Sequence, residues 1–124
     1  MLYQGSCHCG GVAFEVEAAA EVEVEECNCS ICHMSGFLHL IVPARHFRLL
    51  RGQQLLTSYR FNSGVAEHLF CRICGIKAFY IPRSNPDGVD VNVRCLQQPP
   101  RFHVVPFDGQ NWEQNAAHLA HKSR

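Results

Sequence analysis

Apolar and polar residues alternate with a period of two over the first quarter of the chain. Val12, Phe14 and Val16 face one way against Ala13, Glu15 and Glu17, and Val22 and Val24 interleave with Glu21, Glu23 and Glu25. Successive side chains of a strand leave on opposite faces, so both segments read as half-buried strands. Later runs, Phe37 to Val42, Leu55 to Phe61, Val65 to Phe70, Ala78 to Ile81 and Val89 to Val93, are short and rich in β-branched or aromatic residues, and Gly, Pro, Asn or Ser bound them. About seven strands of this kind predict a mainly β fold, largely antiparallel. Helix is scarce: one turn is expected at Ser30 to Ser35. The segment Trp112 to His121 would set Trp112, Ala116 and Leu119 or Ala120 on one helical face. The last residues, His121 to Arg124, are expected to fray.

Length and composition narrow the reading. The 124 residues fit one domain over 1–124, with neither a repeat nor a low-complexity tract. With 47% hydrophobic and 18% charged residues, the chain can bury a core and is not a disordered polymer. Lys plus Arg and Asp plus Glu both number 11, so no basic surplus exists to neutralise phosphates, and nucleic acid is not an expected partner. No apolar run approaches the roughly 18 residues that span a bilayer, and Met1 to Gly5 lacks the regions of a signal peptide. A cytoplasmic protein with no membrane partner is therefore expected. In a reducing compartment, clustered cysteines point to metal ligation rather than disulfides.

Seven of the eight cysteines form such clusters: Cys7-x-Cys9, Cys27-x-Cys29-x-x-Cys32 and Cys71-x-x-Cys74. Zinc is the metal these thiolates favour. The first and last clusters each run into glycine, at Gly10 and Gly75, where a backbone turning under a metal needs positive φ. They read as two halves of one closed four-thiolate site on Cys7, Cys9, Cys71 and Cys74. Such a site hardly exists in an unfolded chain, so its metal affinity, on the order of 10 kcal/mol or more in small zinc modules, is folding free energy. The middle cluster supplies only Cys27, Cys29 and Cys32, and three protein ligands leave a coordination position open to water or substrate. Seven thiolates against two Zn²⁺ would leave the loaded protein about three units negative.

Alternatives stay open for the trio: a second structural site completed by Cys95 or a histidine, or a CxxC redox pair of Cys29 and Cys32. Cys95 reads as core packing or as a neighbour of the open metal. His33, adjacent to Cys32, is an awkward ligand and a candidate proton carrier. His8, His39, His46, His68, His103, His118 and His121 form no HxxxH pair and read as surface or satisfied interior groups.

Four stretches together, Gly5-Ser-Cys-His-Cys-Gly-Gly-Val12 with the Phe14 strand, Cys27-Asn-Cys-Ser-Ile-Cys32 with Gly36-Phe37, Phe70-Cys-Arg-Ile-Cys-Gly75, and Val91-Asn-Val-Arg-Cys-Leu96, resemble the glutathione-dependent formaldehyde-activating enzyme family, which includes centromere protein V. The resemblance implies a β-tent of small stacked antiparallel sheets. It also implies a structural zinc on Cys7, Cys9, Cys71 and Cys74 and a catalytic zinc on Cys27, Cys29 and Cys32. The implied activity is that of a carbon-sulfur lyase joining glutathione to formaldehyde as S-hydroxymethylglutathione, so the implied partners are a small-molecule thiol and an aldehyde. Arg60, Arg72, Lys77, Arg83 and Arg94 are candidate partners for the glutathione carboxylates. The competing expectation is a zinc-stabilised β module that binds a protein without turnover.

Overall fold

The computed structural model describes all residues from Met1 to Arg124. Ten strands form two sheets. In chain order they are β1 (Leu2–Ser6), β2 (Ala13–Glu17), β3 (Glu21–Cys27), β4 (Leu38–Pro43), β5 (Phe47–Arg51), β6 (Leu56–Tyr59), β7 (Glu67–Cys71), β8 (Phe79–Ile81), β9 (Gly88–Asn92) and β10 (Arg101–Phe107). The smaller sheet has the order β1-β2-β5 and the larger β10-β3-β4-β9-β8-β7-β6. The fold is mainly β, as the alternation predicts, and no helix is long and apolar enough to cross a membrane.

Strand alternation builds the core. From the small sheet come Tyr3, Phe14 and Val16, with Val12 just ahead of β2; Val24, Leu38, Leu40, Val42, Val89, Val91 and Phe79 face them from the large sheet. Phe14 is fully buried and its ring centroid lies 5.4 Å from Phe47 and 5.7 Å from Phe79. Truncating such a ring typically costs about 3–5 kcal/mol.

The same period of two sends a different set of side chains through the other face of the large sheet. The register pairs Glu25 with His39, Ile41 with Asp90, Asp90 with Tyr80, and Tyr80 with His68. A row of polar and aromatic groups thus crosses β3, β4, β9, β8 and β7 on the face away from the core. Glu25, His39, Asp90, Tyr80 and His68 are nevertheless all buried: the C-terminal segment closes over β4 and β9 and pairs with Glu25, Phe37 and Lys77 pack on Tyr80, and Phe61 stacks on His68.

Three strands escape the sequence pattern: β1, β5 and β10. Strand β10 is an edge strand, a place where Pro106 is tolerated, and most of its side chains are exposed, so alternation is weak there. It runs parallel to β3, the one exception to antiparallel pairing. The helical turn α1 (Ser30–Ser35) falls where expected and ends at Gly36, whose amide donates to Cys32 O at 3.0 Å.

The C-terminal segment departs from expectation. Instead of one amphipathic helix it forms a single turn, α2 (Trp112–Asn115), followed by 3-10 turns over Ala116–Ser123. Side-chain contacts tie the end to the sheet. Asn85, itself buried, donates from Nδ2 to Leu119 O, Ala120 O and Ser123 Oγ. Ser123 Oγ donates to Asp87 and Lys122 pairs with Glu25, so the tail is held by polar contacts at its tip.

Candidate metal centres and the adjoining cavity

Two groups of sulfurs assemble. Cys7, Cys9, Cys71 and Cys74 have all their Sγ atoms within 4.8 Å of one another, and so do Cys27, Cys29 and Cys32. No cysteine is in a disulfide.

In the quartet, Cys7 Sγ lies 3.6 Å from Cys9 Sγ, and Cys9 Sγ 3.7 Å from Cys71 Sγ. A tetrahedral zinc with Zn–S bonds of about 2.3 Å needs sulfurs about 3.8 Å apart, so the spacing fits that ion. The two loops are alike. Gly10 (φ 80°) and Gly75 (φ 77°) hold the left-handed turns. Their amides donate to Cys7 O and Cys71 O, while Val12 N and Gly11 N donate to the sulfurs of Cys7 and Cys9 at 3.3 and 3.4 Å. The Cys71 thiol is held below its usual range by the backbone amides of Cys74 and Ile73. Charge of this kind on sulfur is what a cation requires.

The trio is carried by the end of β3 and by α1. Cys29 stands at the helix start and Cys32 is the buried residue of the first turn. Hydrogen bonds from the Cys27 and Cys32 thiols hold Cys29 far below an ordinary thiol. Cys27 and Cys29 in return push Cys32 up. Three sulfurs crowded together, with Cys29 inclined to ionise, are a cation-seeking set. No fourth Cys, His, Asp or Glu joins the cluster.

Gly109, after β10, caps the trio so closely that a Cβ there would overlap the Cys27 sulfur and come within 3.1 Å of Cys29 Cβ. Asn28 fastens this loop: its Nδ2 donates to Asp108 Oδ1 at 3.0 Å and its Oδ1 accepts from Gln110 N at 2.9 Å.

A cavity of about 660 Å³ opens beside the trio and is lined by Cys27, Cys29 and Cys32 but by none of the quartet. Its floor is the polar row of the large sheet and its walls include Phe61, Phe107 and Trp112. On the floor His39 Nδ1 lies 2.6 Å from Asp90 Oδ2, and the Tyr80 ring stacks on His68 with centroids 4.8 Å apart. Burial raises the Glu25 carboxyl above its normal range, opposed by Lys122, and pushes His68 down to about 4, with Lys77 adding to the shift.

Of the five candidate cations, Arg83 alone lines the cavity; its guanidinium lies 3.7 Å from the Trp112 ring centroid and 2.7 Å from Glu113. Lys77 packs on Tyr80 and Phe37 and contacts His68 Nδ1 at 2.7 Å. Arg60, Arg72 and Arg94 are exposed and lie outside the cavity. His33 is also exposed and outside it. Cys95 joins neither sulfur group; burial raises its thiol to about 11, with the charges of Cys7 and Cys74 adding, so it neighbours the quartet rather than the trio.

Residues 2–113 match the model of the family described as glutathione-dependent formaldehyde-activating enzyme. The chain belongs to this family. A Rhodobacter sphaeroides protein of known crystal structure is similar at 39% sequence identity and a TM-score of 0.69, over 76% of this chain and 87% of that one. As a family member, the protein carries both cysteine groups and the Gly109 cap inside the matched stretch, while the docked tail from residue 114 onward lies beyond it. On sequence alone His39 reads only as a surface or satisfied interior group and Glu25 as a polar position of a strand, and nothing singles out Asp90, Tyr80 or Gly109. The signal for His39 and Asp90 was a titratable residue inside an otherwise apolar strand, in Leu38-His39-Leu40-Ile41 and Val89-Asp90-Val91.

Proposed function

We propose that the protein is a zinc-dependent carbon-sulfur lyase that adds a thiol, glutathione, to a small aldehyde, formaldehyde, in the cytoplasm. On this reading residues 1–124 act as one domain. Cys7, Cys9, Cys71 and Cys74 hold a structural zinc, and Cys27, Cys29 and Cys32 hold a catalytic one. The observation that carries the reading is the asymmetry of the two sulfur groups: the trio borders a large cavity and the quartet does not. A cavity of about 660 Å³ lies within the range of small-molecule sites.

Bound at the trio, zinc would supply the positive charge that keeps a substrate thiol ionised at neutral pH. The remaining work falls to the chain. The cavity confines thiol and aldehyde together, and such confinement is a large part of the acceleration of a bimolecular addition. Arg83, stacked on Trp112, is a cation positioned for a substrate carboxylate. The Asn28-anchored loop holds Gly109 against Cys27 and fixes one side of the trio.

The test combines elemental analysis of metal per chain with calorimetric titration of glutathione into wild type and Cys29→Ser. Two zincs, thiol binding, and a folded Cys29→Ser variant that loses thiol-dependent formaldehyde consumption are the expected results. Turnover undiminished in Cys29→Ser would reject catalysis at the trio, and one zinc per chain or indifference to glutathione would favour the binding module.

A further inference from the structure

We propose that His39 is the proton carrier of this cavity and that Asp90 is the residue that positions it. The inference rests on the thiol-addition reading and adds to it the group that moves the proton. His39 is 4% and Asp90 1% exposed, and the 2.6 Å contact occupies Nδ1. The other ring nitrogen, Nε2, is buried and has no hydrogen-bond partner in the protein. Buried polar atoms are rarely left so, and a cavity-lining imidazole with one nitrogen anchored and the other free is arranged to meet a ligand. Strand β4 lies between β3 and β9. On β3, the flank of β4 away from Asp90, Glu25 stands opposite His39, and Cys27 follows two residues further along the same face of that strand. His33, the histidine adjacent to the trio in sequence, is exposed and outside the cavity.

The chemistry balances without another reactant. With Nδ1–H donating to Asp90, the Nε2 lone pair takes the proton of the thiol S–H. The sulfur pair forms the C–S bond, the carbonyl π pair moves onto oxygen, and that oxygen takes the proton back from Nε2–H. The product is a hemithioacetal. Asp90 fixes the tautomer and stabilises the transient imidazolium, which is how a buried carboxylate serves a neighbouring histidine. The other charged or titratable groups turned toward His39 are Glu25 from β3, Tyr80 from β8, His68 from β7 and Cys29 from the start of α1, with Lys122 of the tail paired to Glu25.

The experiment is a calorimetric titration of glutathione into the zinc-loaded protein at pH 7, in two buffers of different ionisation enthalpy, which counts protons passed to solvent. Wild type should keep most of the thiol proton. His39→Gln should release about one proton per thiol bound, and its kcat should fall on the order of 100-fold with a smaller change in KM. Asp90→Asn should shift proton release in the same direction and stands in if His39→Gln does not fold, as judged by circular dichroism and metal content. Proton release unchanged from wild type in the folded variants overturns the role of His39 alone. A wild type that binds no glutathione overturns the thiol-addition reading, and this inference with it.

Discussion

Replacing Gly109 by alanine should loosen the trio and leave the quartet intact. Gly109 does not use positive φ, so alanine suits its backbone, and the penalty is one of space. The new methyl would overlap the Cys27 sulfur and stand 3.1 Å from Cys29 Cβ. If the cysteines yield, the cost is that of overpacking, about 1–3 kcal/mol. If the loop retreats, it loses the bonds joining Asn28 to Asp108 and to Gln110, at about 1 kcal/mol each. Neither route is cheaper, so a loss of about 1–3 kcal/mol is expected, roughly 4–12 °C in melting temperature for a domain of this size. Metal ligands tolerate displacements of only about 0.2 Å, so the variant should lose zinc and glutathione affinity at the trio. Thermal melts, elemental analysis and glutathione titration read the three effects. A wild-type melting temperature with undiminished metal and glutathione binding would refute the close packing on which the estimate rests.

Cys71→Ser should behave differently from Cys29→Ser. It opens the site joining two loops whose cysteines, Cys9 and Cys71, are 62 residues apart, and the expected result is a chain without native circular dichroism even in excess zinc; a native spectrum would contradict the structural role of the quartet. His68 should make stability depend on acid. Its folded-state pKa of about 4 lies below the usual 6.5, so the unfolded chain binds the proton more readily. The contribution is present above pH 6.5 and is lost as pH falls toward 4. Its cause is burial, reinforced by the Lys77 ammonium that already donates to Nδ1. Comparing denaturation midpoints of wild type and His68→Phe from about pH 7 to about pH 4 isolates this effect from acid release of metal. Parallel curves would remove His68 as its source.

Much of the metal chemistry is legible in the residues alone. Each cysteine cluster is local, and Gly10 and Gly75 mark the two turns that face each other, so spacing and turn chemistry are enough to pair Cys7 and Cys9 with Cys71 and Cys74. The strands β2, β3, β4 and β9 carry clear alternation because one face of each packs in the core. Strands β1, β5 and β10 do not. Burial along β5 and β10 is partial, and their places in the sheets follow from pairing with distant partners rather than from their own residues.

His39 and Asp90 come from segments 51 residues apart, and each of them, like Tyr80, looks like an interruption in an apolar strand when read alone. Their common purpose is decided by register. Pairing β4 with β9 and β9 with β8 brings them to one face, and a shift of one residue in either pairing would send them to the other. The tail adds a second decision of the same kind: Asn85 and Ser123 join across a stretch of chain with no motif between them, and that closure covers the part of the row carried by β3, β4 and β9. Sequence by itself therefore determined which atoms can bind metal, because ligation needs residue types at short spacing. Tertiary structure decided which metal group has room for a substrate and which histidine stands beside it, because enclosure and register are properties of strands meeting across the whole chain.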